Sequence, residues 1–325
     1  MVKNIAASIR HRLLNQSRKT DDETFNNLAE RYLRERFLYR LSQSKKADDY
    51  ILKGATVFQV WLGKPHRPTR DIDLLNTKLK TEAELKKEFT NICAIECNDG
   101  IEFTNIEASP IQANQKYAGT RLDIKAKLDT IRLKLQIDVA YGQLILPPAK
   151  IYSVDSLLDQ PPARLKIYPK ETVIAEKLHA IVERGLDNSR IKDYFDLLYL
   201  SERESFDGQL LAAAIKTSFS QRKTSLPSKT PIGLTKEYID YEPDREKQWQ
   251  KFWVKENNPP TLMQAIGKIE QFTTPLLIEN QTFAKQWSNG QWQRENRFKK
   301  ELEEQPNSQP KNSPKSDKKR DISRD

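Results

Sequence analysis

Several features that define particular protein classes are scarce or missing in this sequence. It contains ten glycines and two cysteines among 325 residues, too few for a collagen-like chain, a disulfide scaffold or a zinc ribbon. No run of residues approaches the roughly 18 consecutive apolar side chains that a membrane span needs. The N-terminal segment lacks an apolar stretch followed by a small-residue cleavage site, which argues against a secretory signal. These absences predict a cytoplasmic protein that does not insert into a membrane.

Charged residues are abundant, and basic ones are in excess. The chain has 55 Lys and Arg against 45 Asp and Glu, a net charge of +10 and a pI near 9.3. Residues 306–325 contribute six Lys or Arg and three Asp. That segment has almost no apolar side chains to bury, so it is predicted to be a disordered basic tail. The remaining positive charge favours a phosphate-bearing partner, although many basic proteins bind nothing anionic.

The first half of the chain mixes helical and strand patterns. Apolar residues at helical spacing predict helices within residues 5–40, and Thr81 with Glu84 forms a capping signal for a helix over 81–92. Strands are predicted at 71–75 and 101–108. The clearest pattern is a hairpin of two alternating strands, 121–128 and 131–142. Two prolines at 147–148 are predicted to end the sheet region.

After residue 150 the periodicity becomes helical. Helices are predicted over 172–185, with Thr172 as N-cap, and over 187–202, 210–222 and 261–287. Five aromatic residues favour the core of this helical region over stacking on nucleic-acid bases: Trp249, Phe252, Trp253, Trp287 and Trp292. We therefore predict an α/β (α+β) fold, with a mixed β-sheet core and flanking helices followed by a mostly helical C-terminal domain.

Three aspartates form the first candidate constellation for chemistry. Asp71 and Asp73 are two residues apart on a predicted strand, so both carboxylates point to one face, roughly 6–7 Å apart at the Cα atoms. Like charges this close repel each other, and a divalent metal ion is the usual remedy. Asp138 lies on the polar face of a later strand that could lie beside the first. Three carboxylates on adjacent strands are typical of sites that hold two Mg²⁺ ions for in-line phosphoryl chemistry.

Residues before the aspartate pair could contact phosphate groups. At Lys53, Gly54 and Ala55 the backbone could approach a phosphate closely, because glycine leaves the chain uncovered. Between this segment and the aspartates, the stretch 67–70 offers cationic and hydroxyl side chains in Arg67, Thr69 and Arg70.

A later helical segment forms the second constellation. Lys177 and Arg184 lie two turns apart on one helical face, and Lys192, Asp193 and Asp196 follow on the next helix. Basic residues facing acids here could hold a triphosphate while metal occupies the acids. The alternative is a solvated pair of helices with ordinary ion pairs.

Three motifs of this chain resemble those of the AbiEii/MenT-type nucleotidyltransferase toxins, members of the DNA polymerase β-like superfamily. They are LKGATVFQVWLGKPHRPTRDIDLL, then LQIDVAYG, then AEKLHAIVERG with SRIKDYFDLLYL. Together they span about residues 50–200. The resemblance implies a nucleotidyltransferase core over 1–150 and a helical domain over 151–305 that completes the active site. It also implies nucleotide transfer from an NTP by a toxin that a cognate antitoxin restrains.

The resemblance also implies roles for individual residues. Asp71 and Asp73 match the metal-binding pair, Asp138 matches the third carboxylate, and Lys177 with Asp193 or Asp196 matches the C-terminal functional positions. The implied nucleotide-binding residues are Lys53, Gly54, Ala55, Arg67, Thr69, Arg70, Lys177, Arg184 and Lys192. The superfamily commonly has Gly-Gly or Gly-Ser where this chain has Gly54-Ala55, a departure that predicts weaker triphosphate binding.

The leading hypothesis is a metal-dependent nucleotidyltransferase with two Mg²⁺ ions that uses NTP as co-substrate. The family resemblance makes RNA, with the tRNA 3′ end as an example, the expected acceptor. Two alternatives stay open at this point. One is a catalytically inactive module that binds nucleotide or RNA, against which the intact aspartate trio argues. The other is an enzyme that modifies a small molecule, for which an acidic acceptor pocket would be expected.

Overall fold

The computed structural model describes residues 4–19, 23–63, 66–111, 119–142, 145–253, 257–278 and 283–294. The predicted basic tail at 306–325 lies outside these ranges. Within them, no helix has both the length and the apolar character that crossing a membrane requires.

Ten helices and ten strands are assigned in the described ranges. The helices are α1 Ile5–Ser17, α2 Phe25–Gln43, α3 Thr56–Leu62, α4 Glu82–Cys93, α5 Lys170–Arg184, α6 Ile191–Arg203, α7 Gly208–Gln221, α8 Lys236–Tyr241, α9 Asp244–Gln250 and α10 Leu262–Ile278. The strands are β1 Tyr50–Lys53, β2 Asp71–Asn76, β3 Ile101–Pro110, β4 Gly119–Leu128, β5 Ile131–Tyr141, β6 Lys150–Val154, β7 Ala163–Ile167, β8 Phe206–Asp207, β9 Lys285–Ser288 and β10 Gln291–Arg294.

The main sheet has seven strands in the order β3-β4-β5-β2-β1-β7-β6. It is mixed, because β2 pairs with β5 and β1 pairs with β7 in parallel, while the other neighbours are antiparallel. The predicted hairpin is confirmed as β4 and β5, in which buried and exposed residues alternate. The predicted α/β (α+β) fold with a mixed sheet and flanking helices is thereby confirmed.

Helices α2 and α4 cover one face of this sheet. Phe37 of α2 stacks on Phe89 of α4 at 5.6 Å, and both belong to the core that contains Ile72 and Leu74 of β2. Helix α4 begins with the predicted capping box, in which Thr81 and Glu84 satisfy each other's backbone N–H groups. Because side chains alternate along a strand, Asp71 and Asp73 of β2 point to the opposite face.

The sheet does not end at the two prolines, so that prediction is wrong. Strands β6 and β7 follow them and form one end of the sheet, where β7 lies between β1 and β6. A proline interrupts the hydrogen-bond ladder only where it stands, and alternating Leu165 and Ile167 rebuild a buried strand afterwards. The division of the chain at residue 150 stays a prediction, but the sheet itself continues to residue 167.

The region after residue 167 is mostly helical, as expected, with three local differences. Helix α5 begins at Lys170 after Pro169, so Thr172 is not its N-cap and instead donates a hydrogen bond to the Leu146 carbonyl. The last predicted helix ends at Ile278, earlier than expected. A small sheet of order β10-β9-β8 is present, which periodicity did not indicate.

The predicted core role is confirmed for all four tryptophans named above. Trp249 and Trp287 are buried, and Trp253 and Trp292 pack against the core. Three indole N–H groups donate to backbone carbonyls: Trp249 to Pro260, Trp287 to Ser201 and Trp292 to Phe272. Such hydrogen bonds satisfy the only polar atom of a buried tryptophan, so these side chains stabilise the helical region.

Candidate active site

Two parallel strands bring the predicted carboxylates together. Asp71 and Asp73 lie on β2 and Asp138 lies on β5, with Asp73 and Asp138 as direct register partners. One oxygen of each carboxylate lies within 4.8 Å of the others, and all three residues are half-buried. The expected proximity of the three side chains is therefore observed, and it follows from parallel pairing of β2 with β5.

The negative charge of this carboxylate cluster is poorly compensated. The pKa of Asp73 is raised, first by burial and then by the neighbouring charge of Asp71, with Asp138 adding to the effect. Lys53 and Lys192 oppose the rise. Within the described ranges neither Asp71 nor Asp73 forms an ion pair, and Thr69 donates its hydroxyl proton to Asp71 Oδ1 at 2.7 Å.

A glycine next to β2 makes room for one of these carboxylates. Gly54 has φ +72°, and a Cβ atom built on it would overlap Oδ2 of Asp73. Both the left-handed backbone and the contact exclude a side chain at this position. Ala55, which follows, is buried in the first turn before α3, so the departure from Gly-Ser places a methyl group inside the fold.

Arg121, which the motifs did not indicate, binds the third carboxylate. Its Nε and Nη2 atoms donate to the two oxygens of Asp138, each at 2.8 Å, and its side chain is 40% exposed. The two residues are register partners on β4 and β5. A hairpin with a two-residue turn fixes this register, so counting back from the turn at Asp129 would have found Arg121 in the sequence.

The carboxylate cluster fits a divalent metal ion. Hard divalent cations prefer carboxylate oxygens, and the pKa of Asp73 is raised by burial and by the charges of Asp71 and Asp138, so a nearby cation would favour its ionised form. Asp71 and Asp73 have free oxygens for a cation, whereas Asp138 would have to share its carboxylate between the metal and Arg121.

A cleft of about 410 Å³ opens beside Asp71. It is lined by Arg67, Pro68, Thr69, Arg70, Asp71, Gln136, Lys192 and Phe252. Three of the predicted phosphate-binding cations therefore stand on its walls. The ring of Phe252 stacks on Phe195 at 4.9 Å and is half-buried, so this aromatic borders the cleft in addition to packing in the core.

The second constellation is a buried network of matched charges. Lys177 Nζ lies 2.8 Å from Asp193 Oδ1 and 2.6 Å from Asp196 Oδ2. Arg67 binds both oxygens of Asp196 at 2.9 and 3.0 Å. Arg190 Nε lies 2.6 Å from Asp193 Oδ2. Because both aspartates are buried, the alternative of a solvated helix pair is wrong.

The charge balance of this network is the reverse of that in the carboxylate cluster. Burial raises the pKa of Asp193, but Lys177 and Arg190 outweigh it and hold that pKa below its ordinary value. Lys177, His66 and Arg67 do the same for Asp196 against the same effect of burial. Asp193 and Asp196 are therefore saturated with cationic partners and have no open side for a metal ion.

Of the remaining predicted nucleotide-binding cations, Lys53 lies beside the carboxylate cluster as the register partner of Asp73, and Arg184 does not. Lys53 Nζ lies 3.4 Å from Glu176 Oε2, and Glu176 also accepts a hydrogen bond from Arg222 at 2.8 Å. Arg184 is exposed in the last turn of α5 and is not among the residues that line the cleft. The structure therefore does not bring Arg184 to the site.

Two residues of the network, His66 and Arg190, were not identified from the sequence, and neither was Glu176, which pairs with Lys53. His66 Nε2 lies 3.2 Å from Asp196, and its ring packs against Phe58 and Phe195. Arg190 stands three residues before Asp193, a spacing that could have signalled an ion pair across one helical turn. No comparable signal links His66 to Asp196, because their contact joins distant parts of the chain.

Comparisons with known proteins find one family model and similar solved structures. The model of the family described as "Nucleotidyl transferase AbiEii toxin, Type IV TA system" matches residues 36–268. A crystal structure described as a nucleotidyltransferase from H. pylori is 16% identical, covers 73% of this chain and all of its own, and has a TM-score of 0.38. JHP933 from Helicobacter pylori is 13% identical, with 67% of this chain and 88% of its own covered and a TM-score of 0.36. No curated protein matches the chain.

Proposed function

The chain belongs to the AbiEii family of nucleotidyltransferase toxins and is a nucleotidyltransferase; from this premise we propose that it transfers a nucleoside monophosphate from an NTP to a hydroxyl group of RNA. The observation that carries the proposal is the cluster of Asp71, Asp73 and Asp138, of which Asp71 and Asp73 form no ion pair within the described ranges, at the edge of a cleft with cationic walls. Phosphoryl transfer needs this combination, because carboxylates hold metal while cations receive the phosphates.

The NTP is proposed to bind in the cleft beside Asp71. Arg70 and Lys192 are exposed on its walls, so their charges are available to the β- and γ-phosphates. Arg67 is held by Asp196 and presents a fixed positive wall. Lys177 stabilises this arrangement, because its ammonium neutralises Asp196, the carboxylate that binds Arg67. The cleft wall thus presents two exposed cations and one that an ion pair holds in place.

The residues that would hold Mg²⁺ are Asp71, Asp73 and Asp138. When bound, the metal would neutralise phosphate charge and lower the pKa of the acceptor hydroxyl. The hydroxyl oxygen attacks the α-phosphorus in line, the bond to the bridging oxygen breaks, and pyrophosphate leaves. Asp138, positioned by Arg121, orients the hydroxyl or accepts its proton.

Two observations support RNA as the acceptor, with the tRNA 3′ end as the example that the family suggests. The chain carries a net charge of +10, which attracts polyanions. The walls of the cleft are basic, whereas a small cationic acceptor would need an acidic pocket.

A type IV toxin–antitoxin family implies an antitoxin partner, and we propose the cytoplasm, where NTPs and tRNA meet, as the place of action.

The proposal is tested by incubating the protein with total RNA, Mg²⁺ and each labelled NTP in turn. Label is expected in an RNA band with one or more NTPs, and it should disappear with EDTA or in Asp73→Asn. The matched control is Asp240→Asn, which removes one carboxylate from the exposed surface at 61% side-chain exposure. Label in a small molecule alone would reject RNA, and bound but unreacted NTP would reject transfer.

A further inference from the structure

Four basic side chains continue the active-site face of the sheet away from the carboxylates. Lys125 and Lys127 of β4 and Arg132 and Lys134 of β5 are all exposed. Alternation along β5 places Arg132 and Lys134 on the same face as Asp138. Gln136, which lines the cleft, stands between Lys134 and Asp138. We call these four residues the basic strip.

The register of the hairpin concentrates positive charge in this strip. Lys125 is the direct partner of Lys134, and Lys127 is the direct partner of Arg132. Like charges directly opposite each other on neighbouring strands destabilise a sheet, so the arrangement opposes folding. An unfavourable pairing repeated twice on one exposed face calls for a ligand that relieves it.

The strip is not neutralised by the chain itself. Among the described residues, no carboxylate lies within ion-pair distance of these four side chains. Glu102 of β3 is the register partner of Lys127, and Asp123 precedes Lys125 by two residues on β4. Asp123 faces Gln136 on one side and Glu107 on the other. Among the described residues, these acids lie beside the strip, Glu102 directly opposite Lys127, without forming an ion pair with it.

We propose that the basic strip binds the backbone of the RNA acceptor and guides its end to Asp138. This inference rests on the proposed function for the direction of the RNA, since the strip begins where the cleft ends. Successive outward residues of a strand are about 6–7 Å apart, a spacing comparable to that of phosphates in an extended RNA strand. From Asp138 to Arg132 the strip extends about 20 Å, enough for a few nucleotides.

A paired variant tests the strip. Lys125→Gln with Lys134→Gln removes two cross-strand charges, and Lys86→Gln with Lys87→Gln on α4 is the matched control. The control residues are also exposed, but their helix packs on the opposite face of the sheet. Binding of a fluorescent single-stranded RNA oligonucleotide is measured by anisotropy at several salt concentrations, and melting temperatures confirm folding.

The strip variant is expected to bind this RNA at least tenfold more weakly than the control. Its plot of log K against log salt should be shallower by about 1.4, since each contact with single-stranded nucleic acid contributes about 0.7. In the transfer assay, KM for RNA should rise while KM for NTP stays unchanged.

Equal RNA affinity of the two variants would overturn the proposal that the basic strip binds RNA. The proposal would also fail if the strip variant lost binding to phosphatidylserine vesicles but kept its binding to RNA. These outcomes are separate from failure of the proposed function, because anisotropy needs no turnover. If wild-type protein labels no RNA but the strip variant still loses RNA affinity, transfer to RNA is rejected, whereas RNA binding by the basic strip is supported.

Discussion

The carboxylate cluster and the buried network contain the same kind of residue in opposite electrostatic settings. The carboxylates of Asp71, Asp73 and Asp138 converge, and among the described residues one of them, Asp138, forms an ion pair, with Arg121. Asp193 and Asp196 are surrounded by Lys177 and several further basic groups. The pKa of Asp73 is accordingly raised, whereas those of Asp193 and Asp196 are lowered.

This contrast separates two roles that a motif does not distinguish. A carboxylate with a raised pKa beside a cleft carries charge that an added cation can neutralise. A carboxylate with a lowered pKa has its cations already, and it stabilises the fold around it. We therefore assign metal binding to the cluster and support of the cleft wall to the network.

The largest expected effect is on catalysis, in Asp73→Asn. The substitution keeps the shape of the side chain but removes a proposed metal ligand, so kcat/KM should fall at least 1,000-fold, about 4 kcal/mol. The melting temperature should stay the same or rise, because one repelling charge is lost. Steady-state kinetics and thermal unfolding test this, and a variant that keeps full activity would remove Asp73 from the site.

The second effect is on stability, in Asp196→Ala. This substitution leaves Arg67 and Lys177 buried without their shared carboxylate, so the free energy of unfolding should fall by about 3–5 kcal/mol. The control Asp240→Ala removes an exposed carboxylate and should change it by under about 0.5 kcal/mol. Denaturant titration compares the two, and equal stability would show that the network is dispensable for folding.

The third prediction concerns Lys177, a residue of the buried network that is also expected to affect use of the NTP. Lys177→Ala should lower kcat/KM for the NTP at least tenfold, about 1.4 kcal/mol, because Asp193 and Asp196 lose the charge that balances them. Its ammonium lies between two buried carboxylates, so Lys177 contributes to the fold as well.

Kinetics of Lys177→Ala are measured at a temperature where the variant is folded, and Lys177→Arg should restore activity partly at best. Unchanged kcat/KM for the NTP in folded Lys177→Ala would leave the residue with a structural role alone.

The fourth prediction is that pH affects the two groups of aspartates with opposite sign. A lowered pKa stabilises the fold above the unfolded-state pKa and that stability is lost as pH falls, so Asp196→Asn should be most destabilised near neutrality and approach wild type in acid. Asp73 has a raised pKa, so Asp73→Asn should exceed wild type in stability near neutrality, with the difference shrinking as pH falls. Unfolding titrations at a series of pH values measure both, and parallel curves would contradict the contrast.

The smallest expected effect is that of Arg121. Its side chain is 40% exposed, so the ion pair with Asp138 contributes under about 1 kcal/mol. Arg121→Gln should therefore change the affinity for Mn²⁺, used as a spectroscopic probe in place of Mg²⁺, by about two- to fivefold. Tighter binding would indicate that Arg121 competes with the metal, and weaker binding that it positions Asp138. No change would separate Arg121 from the metal site.

Local rules in the sequence predicted much of the fold and the centre of the site. The alternation of apolar and polar residues identified the hairpin of β4 and β5, and the Thr81 capping signal identified the start of α4. The i, i+2 spacing placed Asp71 and Asp73 on one face, which the structure shows. These features depend on residues a few positions apart, where backbone geometry alone determines which side chains are neighbours.

The sequence by itself determined the hairpin of β4 and β5, most of the helices, the aspartate pair and the positive charge of the chain. Only the tertiary structure decided that β5 lies parallel to β2, that β7 inserts beside β1, and that Arg67 reaches Asp196 across 129 positions of the chain. Burial then set the sign of each pKa shift, because a carboxylate removed from water depends on the partners that folding brings to it. The same residue type thus became a candidate metal ligand in one place and the centre of a structural network in another.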